Sequence, residues 1–208
     1  MDDEENIGIL EAIEENEDRV EIKQLQILDY QVEHFKKILE ILQTELGYLD
    51  VSVFGCGKSI LALSVCISYK MDLLLIGPKS CINQWKAAGK KYGVNIIEAM
   101  TYNALRGAAK TGVNHEFLKR NGSDFFPTEA LEKYAQKGVL IVYDECHSLK
   151  NENDTLLAAH ALSKEAARLA RMGYNIRIAA LSATPADKKE NITSLFKILG
   201  IILENKLF

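Results

Sequence analysis

The sequence has little that would place the protein in a membrane or outside the cell. None of its apolar runs approaches the roughly 18 residues that a membrane-spanning helix needs. The first residues, MDDEEN, contain neither the basic nor the apolar region of a signal peptide. We therefore expect a soluble, intracellular protein that has no membrane as a partner.

Cysteine is also scarce, and its spacing is uninformative. The four cysteines are Cys56, Cys66, Cys81 and Cys146, and no two of them have the short separation typical of zinc ligands. This spacing argues against a structural metal site. We expect free thiols in a reducing compartment, the nucleus or the cytoplasm.

Acidic residues are concentrated at the start of the chain. Residues 1–21 hold ten acidic side chains and one basic one, Arg19, although the net charge of the whole chain is only −4. The remaining residues therefore carry a net charge of +5. This pattern predicts a flexible acidic leader over 1–21 and a folded domain over 22–208. A mildly basic domain permits a polyanionic partner without demanding one.

Beyond the leader, helical patterns alternate with short apolar runs. Apolar residues recur every three or four positions from 25 to 46, which predicts an amphipathic helix. The apolar runs that follow, YLDVSVF, DLLLIGP, NIIEAMTY, GVLIVYDECH and IRIAALSATP, are typical of buried strands. Alternating strands and helices predict an α/β fold with a mostly parallel sheet covered on both faces. Residues 107–135 are less regular, and we expect them to form a surface insertion.

Three polar clusters, GCGKS, YDECH and LSATP, follow predicted strands. The carboxyl ends of parallel strands meet at one edge of a sheet, where ligands of such folds bind. Their common placement therefore predicts one site built from all three clusters.

The first cluster lies in SVFGCGKSI, which resembles a phosphate-binding loop except that Ser52 stands where the first glycine is usual. Gly55 and Gly57 would let backbone N–H groups curl around phosphate oxygens. Lys58 would reach the β- and γ-phosphates, and the Ser59 hydroxyl would ligate Mg²⁺. The alternative is a glycine-rich turn in which Lys58 is merely exposed.

The second cluster supplies acids at the end of a buried strand. Asp144 is placed to hold Mg²⁺, and Glu145 could orient or deprotonate an attacking water. Two acids that cap the next helix would give the same local sequence. The combination of this strand with an upstream glycine loop favours the catalytic interpretation.

In order, these motifs resemble the first RecA-like lobe of a superfamily 2 helicase or translocase, closest to the Swi/Snf-like and DEAH-type ATPases. SVFGCGKS is similar to motif I, IGPKSCINQW to motif Ia, TYNAL to Ib, DECH to motif II and LSATP to motif III. The resemblance spans residues 25 to 203 and implies a three-layer RecA-like P-loop domain with helices on both sides of its sheet. Members of this group often lack the first glycine of motif I, so Ser52 is a family variant.

The resemblance also implies roles for individual residues. LDYQ resembles the segment that contacts adenine, which makes Gln31 the adenine reader, while Cys56 joins the loop that binds the nucleotide. The coupling of the phosphate site to nucleic acid falls to His147, Ser182, Ala183 and Thr184. The contacts to the nucleic-acid backbone fall to Lys79, Ser80 and Thr101, with Arg106 as a further candidate, although solvated surface residues would look the same.

Two side chains keep competing interpretations. His147 could bridge motif II to Ser182 or Thr184, or it could only cap a helix. Trp85, the single tryptophan, could pack in the core beneath motif Ia or stack on a base, and the core is favoured.

The function implied is the ATP-binding lobe of a nucleic-acid-dependent ATPase that uses ATP and Mg²⁺ and acts on DNA or RNA, with DNA slightly favoured. Relatives hold ATP between two such lobes, and nothing here resembles the arginine-bearing motif VI of the second. We therefore expect a second RecA-like lobe in cis or in trans, and an isolated chain that is nearly inactive. The alternatives are a solitary lobe that binds a nucleotide or a partner without turnover, and an unrelated phosphate-loop enzyme such as a small kinase.

Overall fold

The computed structural model describes residues 25–149, 153–185 and 189–200. The predicted acidic leader lies outside the described residues. The strands are β1 (Gly47–Asp50), β2 (Asp72–Gly77), β3 (Ile96–Thr101), β4 (Leu118–Asn121), β5 (Asp124–Pro127), β6 (Val139–Asp144) and β7 (Ile176–Leu181). The helices are α1 (Asp29–Thr44), α2 (Lys58–Tyr69), α3 (Lys79–Tyr92), α4 (Tyr102–Arg106), α5 (Ala130–Ala135), α6 (Asp154–Arg171) and α7 (Lys189–Ile198), and a 3₁₀ turn covers Cys146–Leu149.

Five strands form the central sheet in the order β1-β7-β6-β2-β3, and every pairing in it is parallel. The strand before LSATP, β7, therefore lies between the strand that precedes the glycine loop and the strand that precedes DECH. Because all five strands run the same way, the three polar clusters come to the same edge of the sheet.

Apolar side chains cover the sheet on both faces, as the continuous apolar strands predicted. Alternate residues of β2 and β6 face opposite sides: Leu74 and Ile141 join the cluster that includes α4 to α7, and Leu73 and Leu140 join the cluster with α1, α2 and α3. All four side chains are fully buried. The predicted α/β fold with three layers is confirmed.

The segment 107–135, expected to be an irregular surface insertion, contains regular secondary structure. It forms the antiparallel hairpin β4–β5 and the short helix α5, and Phe117 and Leu131 are buried in the core. The Arg120 side chain, only 3% exposed, pairs with Asp154 at the start of α6. It also donates hydrogen bonds to the carbonyl oxygens of residues 106, 107 and 122. Most of the segment is exposed, as expected of a surface insertion, but it is more regular than the sequence indicated, and this guanidinium and the buried side chains fasten the hairpin to the domain.

Candidate nucleotide site and adjoining groove

The loop after β1 is fastened to the sheet by a buried carboxylate. Asp50, the last residue of β1, is 2% exposed, and its Oδ1 accepts hydrogen bonds from both the backbone N–H and the hydroxyl of Ser52. Its Oδ2 lies 3.4 Å from His34 Nε2 on α1. A glycine at position 52 would supply only the backbone bond. The serine in place of the usual glycine therefore adds a second anchor at the root of the loop.

The glycine loop has the backbone shape that phosphate binding requires. Gly55 and Gly57 adopt φ values of 85° and 82°, in the left-handed region. Gly57 is the N-cap of α2 and provides no capping side chain, and the first helical bond runs from Leu61 N–H to the Gly57 carbonyl. The preceding N–H groups of the first turn therefore have no partner within the helix and point out at its positive end.

Lys58 lies across this loop. Its ammonium donates to the carbonyl oxygens of Ser52 at 2.7 Å and Val53 at 3.2 Å. An ammonium has three donors, so one remains for an anion at the same place. Ser59, the next residue, is exposed at the helix start.

Gln31 contacts the loop directly. Its Nε2 donates to the Cys56 carbonyl at 2.7 Å, and its Oε1 accepts the Leu28 N–H at 3.0 Å. The residue is only 4% exposed. The structure thus places Gln31 as a brace between α1 and the glycine loop, and the reading of adenine by this side chain stays a prediction.

Asp144 ends β6 and is held from two helices. Its Oδ2 accepts the Trp85 indole N–H at 2.8 Å, and its main-chain carbonyl accepts the Tyr102 hydroxyl at 2.7 Å. Burial raises the pKa of the Asp144 carboxyl, and the hydrogen bond from Trp85 acts in the opposite direction. Oδ1 accepts the Glu145 N–H at 3.0 Å, and the Cys81 thiol is a further hydrogen-bond partner of this carboxyl. A carboxylate offers about four acceptor positions, so acceptor capacity remains for Mg²⁺.

Glu145 joins DECH to LSATP. Its Oε2 lies 3.1 Å from His147 Nδ1 and 3.5 Å from the Ser182 hydroxyl, and these two side chains are 3.2 Å apart. The Ser182 hydroxyl also accepts the Thr184 N–H at 3.2 Å. The contact between His147 and Ser182 is the bridge that the sequence suggested. Ala183 lies between these residues and is half-buried.

Glu145 has an unusual backbone. Its φ of 49° lies in the left-handed region, which for a residue other than glycine costs about 1–2 kcal/mol. Such strain often occurs where a side chain must be held in one direction for function. The conformation turns Glu145 toward His147 and Ser182 rather than along β6.

A polar groove adjoins Asp144 on the side of β2 and β3. One cavity of about 430 Å³ is lined by Lys79, Thr101 and Tyr102, among others. A second of about 530 Å³ shares Asn103 and Thr155 with it and reaches Arg106. The structure therefore brings Lys79, Thr101 and Arg106 to one continuous surface. Ser80 is exposed beside Lys79 but does not line either cavity.

Sequence reasoning missed two residues of this site. The sequence places Tyr102 at the end of a strand and in the Ib-like segment TYNAL but predicts no role for its side chain, which holds the Asp144 backbone. Asp50 was not singled out, although a lone carboxylate at the end of an apolar strand, two residues before the glycine loop, is a visible signal. Trp85 lies in the core as favoured, with only 3% of its surface exposed.

The open side of the glycine loop is unusually apolar. Val53 and Phe54 are 69% and 89% exposed, and Leu28 and Tyr30 beside Gln31 are 54% and 65% exposed. We call these four residues the apolar rim. Val53 and Phe54 belong to the loop itself, and Gln31, the neighbour of Tyr30, is bonded to that loop at Cys56. Contiguous exposed apolar patches commonly mark interaction sites.

The chain resembles known helicases. No family model matches it. It is 26% identical to a "putative ATP-dependent RNA helicase" of Acanthamoeba polyphaga mimivirus, in an alignment that covers 88% of this chain and 35% of that protein. The chain thus spans about a third of the length of this curated relative.

A solved structure shows the same fold. The helicase domain of Hef from Pyrococcus furiosus superposes with a TM-score of 0.50 at 16% identity, over 80% of this chain and 35% of that one. Pif1 from Bacteroides, bound to single-stranded DNA, gives a TM-score of 0.43 at 16% identity over 79% of this chain and 35% of that one. The three-layer RecA-like fold expected from the motifs is confirmed by the likeness to the Hef domain. No helix among the described residues is long and apolar enough to cross a membrane.

Proposed function

We propose that the chain is the ATP-binding lobe of a nucleic-acid-dependent ATPase, a helicase or a translocase. The observation that carries this proposal is the convergence of Lys58, Asp144 and Glu145 at one edge of a parallel sheet, with Ser182 of LSATP in contact with Glu145. The likeness to a helicase-type lobe supports it.

Each residue has a task that follows from its surroundings. The N–H groups at the start of α2 and the Lys58 ammonium would bind the β- and γ-phosphates. Ser59 and Asp144 would hold Mg²⁺, which when bound neutralises charge on the phosphate oxygens. Glu145, fixed by its strained backbone and its contact with His147, would orient the attacking water and accept its proton.

The groove is the proposed seat of the nucleic acid. Lys79 offers a cation there, and Thr101 and Asn103 offer polar groups suited to phosphate and sugar oxygens. Such contacts recognise the backbone rather than the bases, so DNA and RNA both fit this surface. The name of the mimivirus relative favours RNA, whereas the motifs slightly favoured DNA.

The apolar rim supports the need for a second RecA-like lobe. It lies beside the phosphate loop, where a nucleotide would otherwise be open to water on one side. An arginine supplied from across a nucleotide raises the rate of phosphoryl transfer by about 10³–10⁵ in comparable enzymes. We therefore expect residues 1–208 alone to hydrolyse ATP barely above background, and a second lobe in cis or in trans to restore activity.

The substitution Lys58→Ala tests the proposal. It removes a charge-assisted contact worth about 1.5–3 kcal/mol, so the affinity for the magnesium complex of ATP should fall about ten- to a hundredfold. Titration of a fluorescent ATP analogue measures this, and Lys70→Ala is the matched control, because Lys70 lies at the other end of α2. Unchanged affinity in folded Lys58→Ala protein would contradict the phosphate-loop assignment. Tight binding without turnover, even in a form that carries a second lobe, would favour the solitary binding lobe.

A further inference from the structure

Two hydrogen bonds connect the groove to the carboxylate proposed to hold Mg²⁺. Trp85 on α3 holds the Asp144 side chain, and Tyr102, the first residue of α4, holds the Asp144 main chain. The two contacts come from different helices and fix different parts of one residue. A shift of either helix relative to β6 would therefore strain or break one of these two bonds to Asp144.

The same two helices form the wall of the groove. Lys79 is the first residue of α3 and lines the groove, and Trp85 follows it on the same helix, about 9 Å further along the axis. Tyr102 lines the groove itself, and its hydroxyl reaches Asp144. One side chain thus touches both the proposed nucleic-acid surface and the metal-binding residue.

Because both donors are buried, the loss of either hydrogen bond is costly. Trp85 and Tyr102 are 3% and 8% exposed, so neither N–H nor O–H can find water if its bond to Asp144 is lost. The indole N–H is a donor only, and the backbone carbonyl is an acceptor only, which fixes the direction of both bonds. Mg²⁺ requires nearly ideal octahedral geometry, so a small change in the direction of the carboxylate alters how well it is held.

We propose that Trp85 and Tyr102 are positioning residues that connect the groove to Asp144, so that a nucleic-acid backbone bound beside α3 and α4 tightens the binding of the magnesium–nucleotide complex. This inference rests on the proposed function, because it takes the groove as the nucleic-acid surface and Asp144 as a magnesium ligand. By linkage, the nucleotide must tighten nucleic-acid binding by the same factor.

The test measures this coupling factor in the 208-residue chain. The affinity for a fluorescent, non-hydrolysable ATP analogue with Mg²⁺ is compared with and without saturating oligothymidylate, and again with oligouridylate. We expect the wild-type affinity to rise within the range of about 5- to 150-fold that is typical of coupled sites. The fluorescence emission of Trp85, the single tryptophan, should change when the analogue is added together with Mg²⁺. It should stay nearly unchanged when the same analogue is added in the presence of EDTA, which removes the metal.

The decisive variant is Tyr102→Phe, which removes one hydroxyl and keeps the ring that lines the groove. The coupling factor, which is the ratio of the nucleotide affinities with and without saturating oligonucleotide, should fall toward one. The oligonucleotide is brought to saturation separately for each variant, so a change in its own affinity does not enter this ratio. Tyr143→Phe is the matched control, since the Tyr143 hydroxyl is also buried and bonded to a carbonyl, that of Ala159 at 3.1 Å, but on the α6 side of the sheet. Trp85→Phe provides a second test with the same fluorescent analogue.

The outcomes separate the two hypotheses. If the wild type binds the analogue and the oligonucleotide without any coupling, or if Tyr102→Phe couples them as strongly as Tyr143→Phe does, the inference is wrong and the proposed function stands. If the wild type binds neither ligand, the proposed function fails and the inference fails with it. Equal loss of coupling in Tyr102→Phe and Tyr143→Phe would reveal general destabilisation and would also overturn the inference.

Discussion

Replacing Gly57 by alanine should disrupt the glycine loop more than the same change at Gly55. A Cβ on Gly57 would lie 2.2 Å from Gln31 Nε2, far inside van der Waals contact, whereas a Cβ on Gly55 would meet nothing within 4 Å. Both residues have positive φ, so both alanines suffer the same kind of backbone strain. The difference between the two variants therefore isolates the contact with Gln31.

The magnitude follows from the contacts. Left-handed backbone costs about 1–2 kcal/mol for alanine. To escape the new methyl group, Gln31 must give up its hydrogen bonds to the Cys56 carbonyl and the Leu28 N–H, each worth about 0.5–1.5 kcal/mol. Gly57→Ala should therefore destabilise the fold by about 2–5 kcal/mol and Gly55→Ala by about 1–2 kcal/mol. For a domain of this size, 1 kcal/mol shifts Tm by about 2–4 °C.

Urea unfolding of four proteins measures these terms: Gly55→Ala, Gly57→Ala, Gln31→Ala and the double variant Gln31→Ala with Gly57→Ala. In the Gln31→Ala background the obstruction is gone, so adding Gly57→Ala should cost no more than Gly55→Ala does in the wild type. The reasoning would be refuted if Gly57→Ala and Gly55→Ala were equally destabilising in the wild-type background. Titration with the ATP analogue should show the same ranking, because Gly57→Ala also leaves the Cys56 carbonyl without its hydrogen bond from Gln31.

Three further predictions follow from the site and its support. Glu145→Gln should leave ATP binding intact and lower hydrolysis by about 10² or more, in a form of the protein with measurable activity; retained turnover would place the base elsewhere. A bulky thiol reagent should modify half-buried Cys56 and block nucleotide binding, and bound ATP should protect this thiol. Burial raises the pKa of the Cys146 thiol to about 12, so Cys146 should stay unreactive until the chain unfolds. Mass spectrometry of the labelled protein shows which of the two cysteines has reacted. Arg120→Ala should destabilise the fold by about 3 kcal/mol in urea unfolding, since it leaves Asp154 and several carbonyls without their donor, and a loss below the error of the measurement would contradict this.

Most of the parallel strands were predictable from the sequence, although the first was placed at 48–54 and the structure has it at Gly47–Asp50. The run DLLLIG is apolar after its first residue, the run IRIAAL is apolar except for Arg177, and the structure has strands at Asp72–Gly77 and Ile176–Leu181. The helix Lys58–Tyr69 also begins where the glycine loop ends. In these elements the length of the apolar run, its pattern and the flanking turn residues all indicate the same structure, so the local sequence is sufficient to predict it.

The hairpin β4–β5 and the contacts that hold Asp144 could not be predicted, because they depend on contacts that no local sequence pattern encodes. Strands β4 and β5 have four residues each, too few for alternation to be distinguished from chance, so the hairpin was missed. The two hydrogen bonds that hold Asp144 come from Trp85, which is 59 positions earlier in the chain, and from Tyr102, which is 42 positions earlier. Sequence placed the chemical groups at one edge of the sheet, but only tertiary packing shows which side chains fix their direction.

The place of β1 in the sheet has a consequence for the order of folding. Its described partner is β7, with Gly47 opposite Ile178 and Asp50 opposite Leu181, so the strand that carries the phosphate loop pairs only with residues made much later. At about 5–20 residues per second, a ribosome needs on the order of 10 s to pass from one strand to the other. Until then α1 and α2 have no complete sheet to cover, and their apolar faces stay open to chaperones or to aggregation. We therefore expect the candidate nucleotide site to be among the last parts of the domain to form, and a chain released before β7 to lack it even though its glycine loop has been made.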